Sequence, residues 1–217
     1  MKNFPITFVI LILILASCST NKRLLEPNKT RYDKIEFNIE KDLNNDISEI
    51  IEVIIYKEHL NVSKDNLNTT KLCSELKKIT IDVPIEDNQG VIPPAAPGNR
   101  YITTILYDHI SDEILFSKKD SSFILSQNSN PKRIKIERKI TERLNTTTFQ
   151  KELKKIKNGE DYDFYEMSIP IFSLDKQTAY IELDYRCGHL CGNGRAFYLR
   201  KINGKWKIIE DFRTWIS

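Results

Sequence analysis

The chain has 217 residues, 33 of them Lys or Arg against 30 Asp or Glu, for a formal net charge of +3. So small an excess over that length gives no argument for nucleic-acid binding, and no nucleic-acid partner is expected. The length suffices for one fair-sized domain or two small ones, and neither tandem repeats nor a collagen-like or Gln-rich tract points to a fibrous or solenoid protein.

The N-terminus, MKNFPITFVILILILASCST, carries one cation, Lys2, ahead of an almost unbroken apolar run over residues 4–16. Such a run is short for a membrane span and fits the core of a signal peptide. It ends in Leu15, Ala16, Ser17 and Cys18, which resembles the lipobox of bacterial lipoproteins. The resemblance implies that residues 1–17 are a removed signal peptide. It also implies that Cys18 is lipidated, with palmitate or a related acyl chain, and that the membrane is a partner reached through this lipid anchor. An ordinary signal peptide or an uncleaved anchor helix is the alternative, but it leaves unexplained the polar, aperiodic stretch over 18–34, which reads as a flexible tether. Each buried acyl methylene adds about 0.8 kcal/mol, so a multiply acylated cysteine holds a domain at the membrane without a transmembrane helix. Ser19 follows the cysteine in place of an acidic residue, and resemblance to the enterobacterial sorting rule implies the outer membrane of a bacterial envelope.

Residues 35–217 are expected to form a single α+β domain. Its first helix is announced by Ile47, Ile50, Ile51, Ile54 and Ile55, at i, i+3, i+4, i+7 and i+8, with Asp46 placed to cap it and Glu49 to reach back. His59 follows at the carboxyl end, where a cation suits the helix dipole. A short helix over 71–78 would carry Cys73 as a small buried residue, and ITIDV reads as a strand. The Pro- and Gly-rich stretch over 85–100 is a loop that divides the chain. The runs YITTILYDHI and DEILFS fit strand and helix equally. Ser117 and Asp120 start a helix through Gln127, RIKIERKI alternates like an amphipathic strand, and TTTFQKELKKIKN reads as a helix opened by a threonine cap. Acids interleave the basic runs, which therefore read as solvated faces, with contact to an anionic headgroup as the sharper alternative.

From Phe164 the period becomes two. Tyr165, Met167, Ile169 and Ile171 share one face, as do Ala179, Ile181, Leu183 and Tyr185. The dipeptide Asn203-Gly204 is a two-residue hairpin turn, which sets Leu199 opposite Ile208, Lys201 opposite Trp206 and Phe197 opposite Glu210. Phe197, Leu199, Trp206 and Ile208 then make a core face, with the Lys201 stem over the indole. A helix followed by a four-stranded antiparallel meander resembles the second half of cystatin-like and nuclear-transport-factor-like α+β domains. The segments IPIFSLDKQTAYIEL, CGHLCGNG, NGKWKI and TWIS also resemble uncharacterised bacterial envelope proteins, a resemblance that implies no activity.

Cys187 and Cys191 fall where one strand of the meander turns into the next. Zinc through Cys187, Cys191, His189 and Cys73 lacks the usual ligand spacing. A redox pair lacks the helix N-terminus that activates a thiol. A disulfide suits the envelope compartment, and it restricts a loop of this length by about 2 kcal/mol. Gly188, Gly192 and Gly194 permit the tight backbone, and a stiffened tip bearing His189, Leu190 and Asn193, flanked by Arg186 and Arg195, is a candidate contact surface for a protein partner, with a tip that only closes the sheet as the equal alternative. Cys73 is then the odd thiol.

No nucleophile elbow, zinc-protease helix, phosphate loop or dinucleotide fingerprint occurs, and His59, His109 and His189 are scattered. No catalytic residue, metal or cofactor is assigned. Glu182 and Asp184 share a strand face with Tyr180 and Arg186 and read as solvated, with a local ion pair to Arg186. A helix covering that face would turn the cluster into a pocket. The expectation is an envelope lipoprotein with a non-catalytic binding or scaffolding domain. Its rivals are a cystatin-like enzyme or small-ligand binder, with a pocket between sheet and isoleucine helix, and an immunity or inhibitor lipoprotein.

Overall fold

The computed structural model describes residues 41–106, 114–188 and 191–217. The expected signal peptide, Cys18 and the tether lie outside the described residues, as do His109, His189 and Leu190. In chain order the elements begin with α1 (Lys41–Lys57), β1 (Lys71–Cys73), β2 (Glu75–Lys77), β3 (Thr80–Asp82), β4 (Asn99–Tyr101) and α2 (Ile102–Leu106). A 3-10 turn at Lys118–Asp120 leads into α3 (Ser121–Ser126), followed by β5 (Arg133–Lys135), α4 (Arg138–Thr141), β6 (Thr146–Thr147) and α5 (Phe149–Asn158). The C-terminal strands are β7 (Asp163–Met167), β8 (Ile171–Phe172), β9 (Thr178–Cys187), β10 (Cys191–Ile202) and β11 (Lys205–Ile216).

The main sheet has seven strands in the order β11-β10-β9-β7-β1-β6, with β8 also on β9. Its meander of β7, β9, β10 and β11 is antiparallel, while β1 runs parallel to both β6 and β7. The fold is α+β. Asn203 and Gly204 both take positive φ, 52° and 74°, so the hairpin turn sets the register as expected: Leu199 faces Ile208 and Lys201 faces Trp206. A register shift between Tyr198 and Leu199 then brings Asp211, not Glu210, opposite Phe197.

Helix α1 packs its isoleucines on one face of this sheet. Ile50, Ile51 and Ile54 are completely buried against a cluster that includes Leu72, Ile181, Phe197, Leu199 and Trp206. Each such side chain contributes roughly 1.5–3 kcal/mol. These side chains fill the centre of the space between α1 and the sheet, where the rival reading placed a ligand pocket; an open groove of about 540 Å³ remains at its edge, between Val53 and Tyr56 of α1 and Trp206 and Ile208 of β11. The helix starts earlier than the isoleucine stripe suggests, so Asp46 is not its cap. Asp46 Oδ1 instead accepts from Lys201 Nζ (2.6 Å) and Trp206 Nε1 (3.0 Å), and Glu49 accepts from the Trp206 backbone N–H (3.1 Å). The two acids fasten α1 to the hairpin. At the other end His59 closes the helix in left-handed backbone, with the Leu60 N–H donating to the Ile55 carbonyl.

Four further expectations change. Residues 71–78 are the strands β1 and β2, because parallel pairing with β6 and β7 overrides a helical spacing of Leu72 and Leu76; Cys73 is buried on a strand. RIKIERKI is a strand only over β5, after which Glu137 starts α4. Pro170 interrupts the ladder after β7, so Ile171 leaves the face of Ile169 and joins a second core with Tyr180, Tyr198 and Phe116. The Pro- and Gly-rich loop does not divide the chain: it leaves β3 and returns as β4, paired beside it. The helix from Ser117 and the threonine-capped α5, where Thr148 accepts from the Lys151 N–H, are as predicted.

Candidate functional site

Strand β9 presents Tyr180, Glu182, Asp184 and Arg186 to the face opposite α1. The alternation of this strand predicts a solvated face; the structure covers it. Glu182 and Asp184 are each 2% exposed, and Glu166, which pairs with Asp184 across β7 and β9, is 1% exposed. Moving a carboxylate out of water costs several kcal/mol unless cations and hydrogen bonds replace the lost hydration. Each of the three has such replacements, brought from distant parts of the chain.

Arg100, delivered on β4 by the end of the Pro- and Gly-rich loop, holds Glu182 in a two-point fork, Nε to Oε1 at 2.7 Å and Nη2 to Oε2 at 2.9 Å. Tyr180 Oη donates to Glu182 Oε1 at 2.6 Å, and the Ser168 hydroxyl accepts from the Glu182 backbone N–H. Asp184 accepts from Lys77 Nζ, from Arg186 Nη2 (2.9 Å) and from Trp215 Nε1 (2.9 Å). Glu166 accepts from Arg133 Nη2 (2.6 Å), with Arg186 Nε 3.5 Å away. The guanidinium of Arg133 also stacks on Phe149 of α5, 4.1 Å from the ring centre.

These contacts set the protonation states. Burial opposes ionisation of Asp184, but the Lys77 ammonium, the Trp215 N–H and Arg186 together outweigh it and hold the carboxyl below the usual aspartate value. Burial, with the adjacent Glu182 charge, pushes the Tyr180 phenol well above its ordinary value, so it remains a donor. Every carboxylate in the row is committed to a cation, and the arrangement is a fixed polar layer in which a proton shuttle would first have to break an ion pair.

At the end of this layer stands the hairpin tip. Cys187 and Cys191 are direct cross-strand partners and form a disulfide, with Cα atoms 5.2 Å apart. Gly188 has a φ of 51°, donates its N–H to the Tyr162 carbonyl at 3.1 Å, and accepts from the Tyr162 hydroxyl. The two flanking arginines do not converge on the tip. Arg186 turns into the carboxylate layer, whereas Arg195 turns toward α1, where it pairs with Glu58 and Asp211 and lies over Phe197. Asn193 sits between Tyr185 and Ile216 in a cross-strand row that continues to Tyr165. Tyr165 and Tyr185 pack against each other with ring centres 4.9 Å apart and planes tilted by 35°.

Cys73 is fully buried, and burial together with the Glu166 charge pushes its thiol up to about 12. With Cys187 and Cys191 joined, the four-ligand zinc arrangement does not form. Among the described residues no group of three or more His, Cys, Asp or Glu is placed to hold a metal ion, and no helix is long and apolar enough to cross a membrane.

Sequence reasoning missed Glu166, Lys77, Arg100, Arg133 and Trp215. A signal was present for the coverage: Phe164 shares a face with Glu166, and Tyr180 with Glu182, and large aromatics on both strands mark a face that does not open to water. Comparison of the chain with protein-family models, with curated proteins and with solved structures finds no match.

Proposed function

We propose that the chain is a lipid-anchored lipoprotein of the bacterial envelope, directed to the outer membrane, whose folded domain binds or scaffolds a protein partner without catalysis. The observation that carries this reading is the Cys187–Cys191 disulfide, a bond that persists in oxidising compartments, in a chain whose leader carries the lipobox sequence Leu15-Ala16-Ser17-Cys18. The crosslink stiffens the tip before any partner arrives, which lowers the ordering cost of binding. Beside it the row Tyr165, Tyr185, Asn193 and exposed Ile216 offers amphipathic aromatic and apolar surface of the kind that anchors interfaces. The cation-locked carboxylates support a binding role over acid–base chemistry. Helix α1 across an antiparallel meander supports a cystatin-like shape, and the packed isoleucine centre beneath α1, which leaves only an open groove at the edge, favours the immunity or inhibitor form of the reading over an internal-ligand binder.

The test is the intact mass of the full chain recovered from bacterial membranes. The expected product lacks residues 1–17 and carries acyl chains on Cys18. A chain retaining Met1, or one with an unmodified Cys18 thiol, overturns the anchor.

A further inference from the structure

We propose that the recess between β6 and α5 is a binding site for a phosphate-bearing anion, held by Lys71, Lys151, Lys154 and Lys155. The recess has a volume of about 350 Å³, within the range of roughly 300–1,000 Å³ typical of small-molecule sites. Lys151, Lys154 and Lys155 occupy positions i, i+3 and i+4 of α5, one stripe of that helix, and Lys71 enters from β1.

The floor of the recess is Glu152, 1% exposed, whose Oε1 accepts from Thr147 Oγ1 at 2.6 Å. Two ammonium groups converge on this one carboxylate, Lys155 at 3.1 Å and Lys71 at 4.0 Å. The two cations share this one buried carboxylate, and the further acids that act on them, Asp163 on Lys71 and Glu160 on Lys155, are not hydrogen-bonded to either ammonium group. The conflict is visible in their titration: Lys155 beside it, and then burial, hold Lys71 below the usual lysine value. With Lys151 and Lys154 at the rim, four cations line a recess whose own acids are Glu152 and Glu160, and the Asp163 charge acts on Lys71 from beside it. An oxyanion seated among them would relieve the repulsion and accept charge-assisted hydrogen bonds from several ammonium groups at once. A dianionic phosphate monoester, pyrophosphate or a phospholipid headgroup shares the required chemistry. The inference needs neither the lipid anchor nor the hairpin tip.

The test uses the full chain in nonionic detergent, titrated with inorganic pyrophosphate by calorimetry, and in vesicles of zwitterionic lipid with or without phosphatidylglycerol. Acetylation rates of the four lysines, read by mass spectrometry, report occupancy in both arms, with Lys205 and Lys207 on the opposite sheet edge as controls. Pyrophosphate binding with selective protection identifies a soluble phosphate ligand; protection only in anionic vesicles identifies a headgroup. Replacing Lys71 and Lys155 by Gln is expected to weaken binding at least roughly tenfold. The K151Q/K154Q variant leaves the Glu152 contacts intact and is expected to weaken it less. No selective protection in either arm, or binding undiminished in both variants, overturns the proposal.

Discussion

The indole of Trp215 lies over Gly194, its partner across β10 and β11, so that a Cβ on the glycine would overlap the indole nitrogen. Gly194 also pairs with Asp184, which receives the Trp215 N–H. The missing side chain is what lets the last aromatic of the chain reach a carboxylate two strands away. Gly194→Ala is therefore expected to destabilise the domain by about 1–3 kcal/mol through overpacking. Trp215→Phe, which keeps a ring and removes the donor, should cost about 1–3 kcal/mol by leaving Asp184 short of a partner. Urea unfolding of both single variants and of G194A/W215A checks the coupling. Since the indole is the nearest obstacle to the added Cβ, with the Thr214 hydroxyl the next, the double variant should lose less than the sum of G194A and W215A; strict additivity would sink the account.

Arg100 is the sole cation forked to Glu182 among the described residues, and it arrives from 82 positions away. Its guanidinium holds its proton more firmly than usual, the Glu182 charge and its hydrogen bonds outweighing the burial that opposes it. Arg100→Met strands a buried carboxylate and should destabilise by about 3–5 kcal/mol. Replacing both partners, R100M/E182L, removes the stranded charge and is expected to recover much of that loss. If the double variant is as unstable as R100M in chemical denaturation, packing of the arginine stem rather than its charge explains the first result.

How far the sequence speaks is clearest from two faces of one strand. Ala179, Ile181 and Leu183 alternate cleanly and do meet α1, because period and burial coincide there. Tyr180, Glu182 and Asp184 alternate equally well but lie under a second layer, and alternation alone cannot distinguish solvent from a layer of cations contributed by β2, β4 and β5. Local signals worked where the cause was local: the Asn203-Gly204 turn, the Thr148 cap and the Cys187–Cys191 pairing. They failed where a long-range partner decided, as for Asp46, a capping residue by type that meets Lys201 and Trp206 instead.

Thiol chemistry separates the three cysteines that follow Cys18. Cys73, with its thiol pushed up to about 12 by burial and Glu166, should resist alkylation in the native protein at neutral pH. Unfolding without reductant is expected to expose that thiol alone, and reduction to release Cys187 and Cys191. Peptide mapping after differential alkylation reads this directly; a Cys73 labelled in the native state, or a reduced tip pair under air, contradicts it. C187S/C191S should lower stability by about 2 kcal/mol under oxidising conditions, the entropy of a five-residue loop, and match the parent once reductant is added.

Acid should dismantle the buried layer, and the sign follows from Asp184 and Glu152. For both, burial alone would raise the carboxyl value, but their cations and hydrogen-bond donors, led by Lys77 at Asp184 and by Thr147 and Lys155 at Glu152, depress it overall. In the unfolded chain these groups titrate at about 3.9 and 4.3, so the unfolded state takes up protons first as pH falls. Their contribution to stability is thus fully present above those unfolded values and is lost as pH drops through the lower folded ones. Asp184→Asn removes one titrating group while keeping a similar shape. Its stability at neutral pH should fall, because Lys77 and Arg186 lose a counter-charge, and its dependence on pH in the acid range should be shallower than that of the parent. Urea midpoints measured at a series of pH values between neutrality and about pH 2 give both slopes. Parallel slopes for parent and variant would mean that Asp184 binds protons equally in the folded and unfolded chain, which the three donors around its carboxylate forbid.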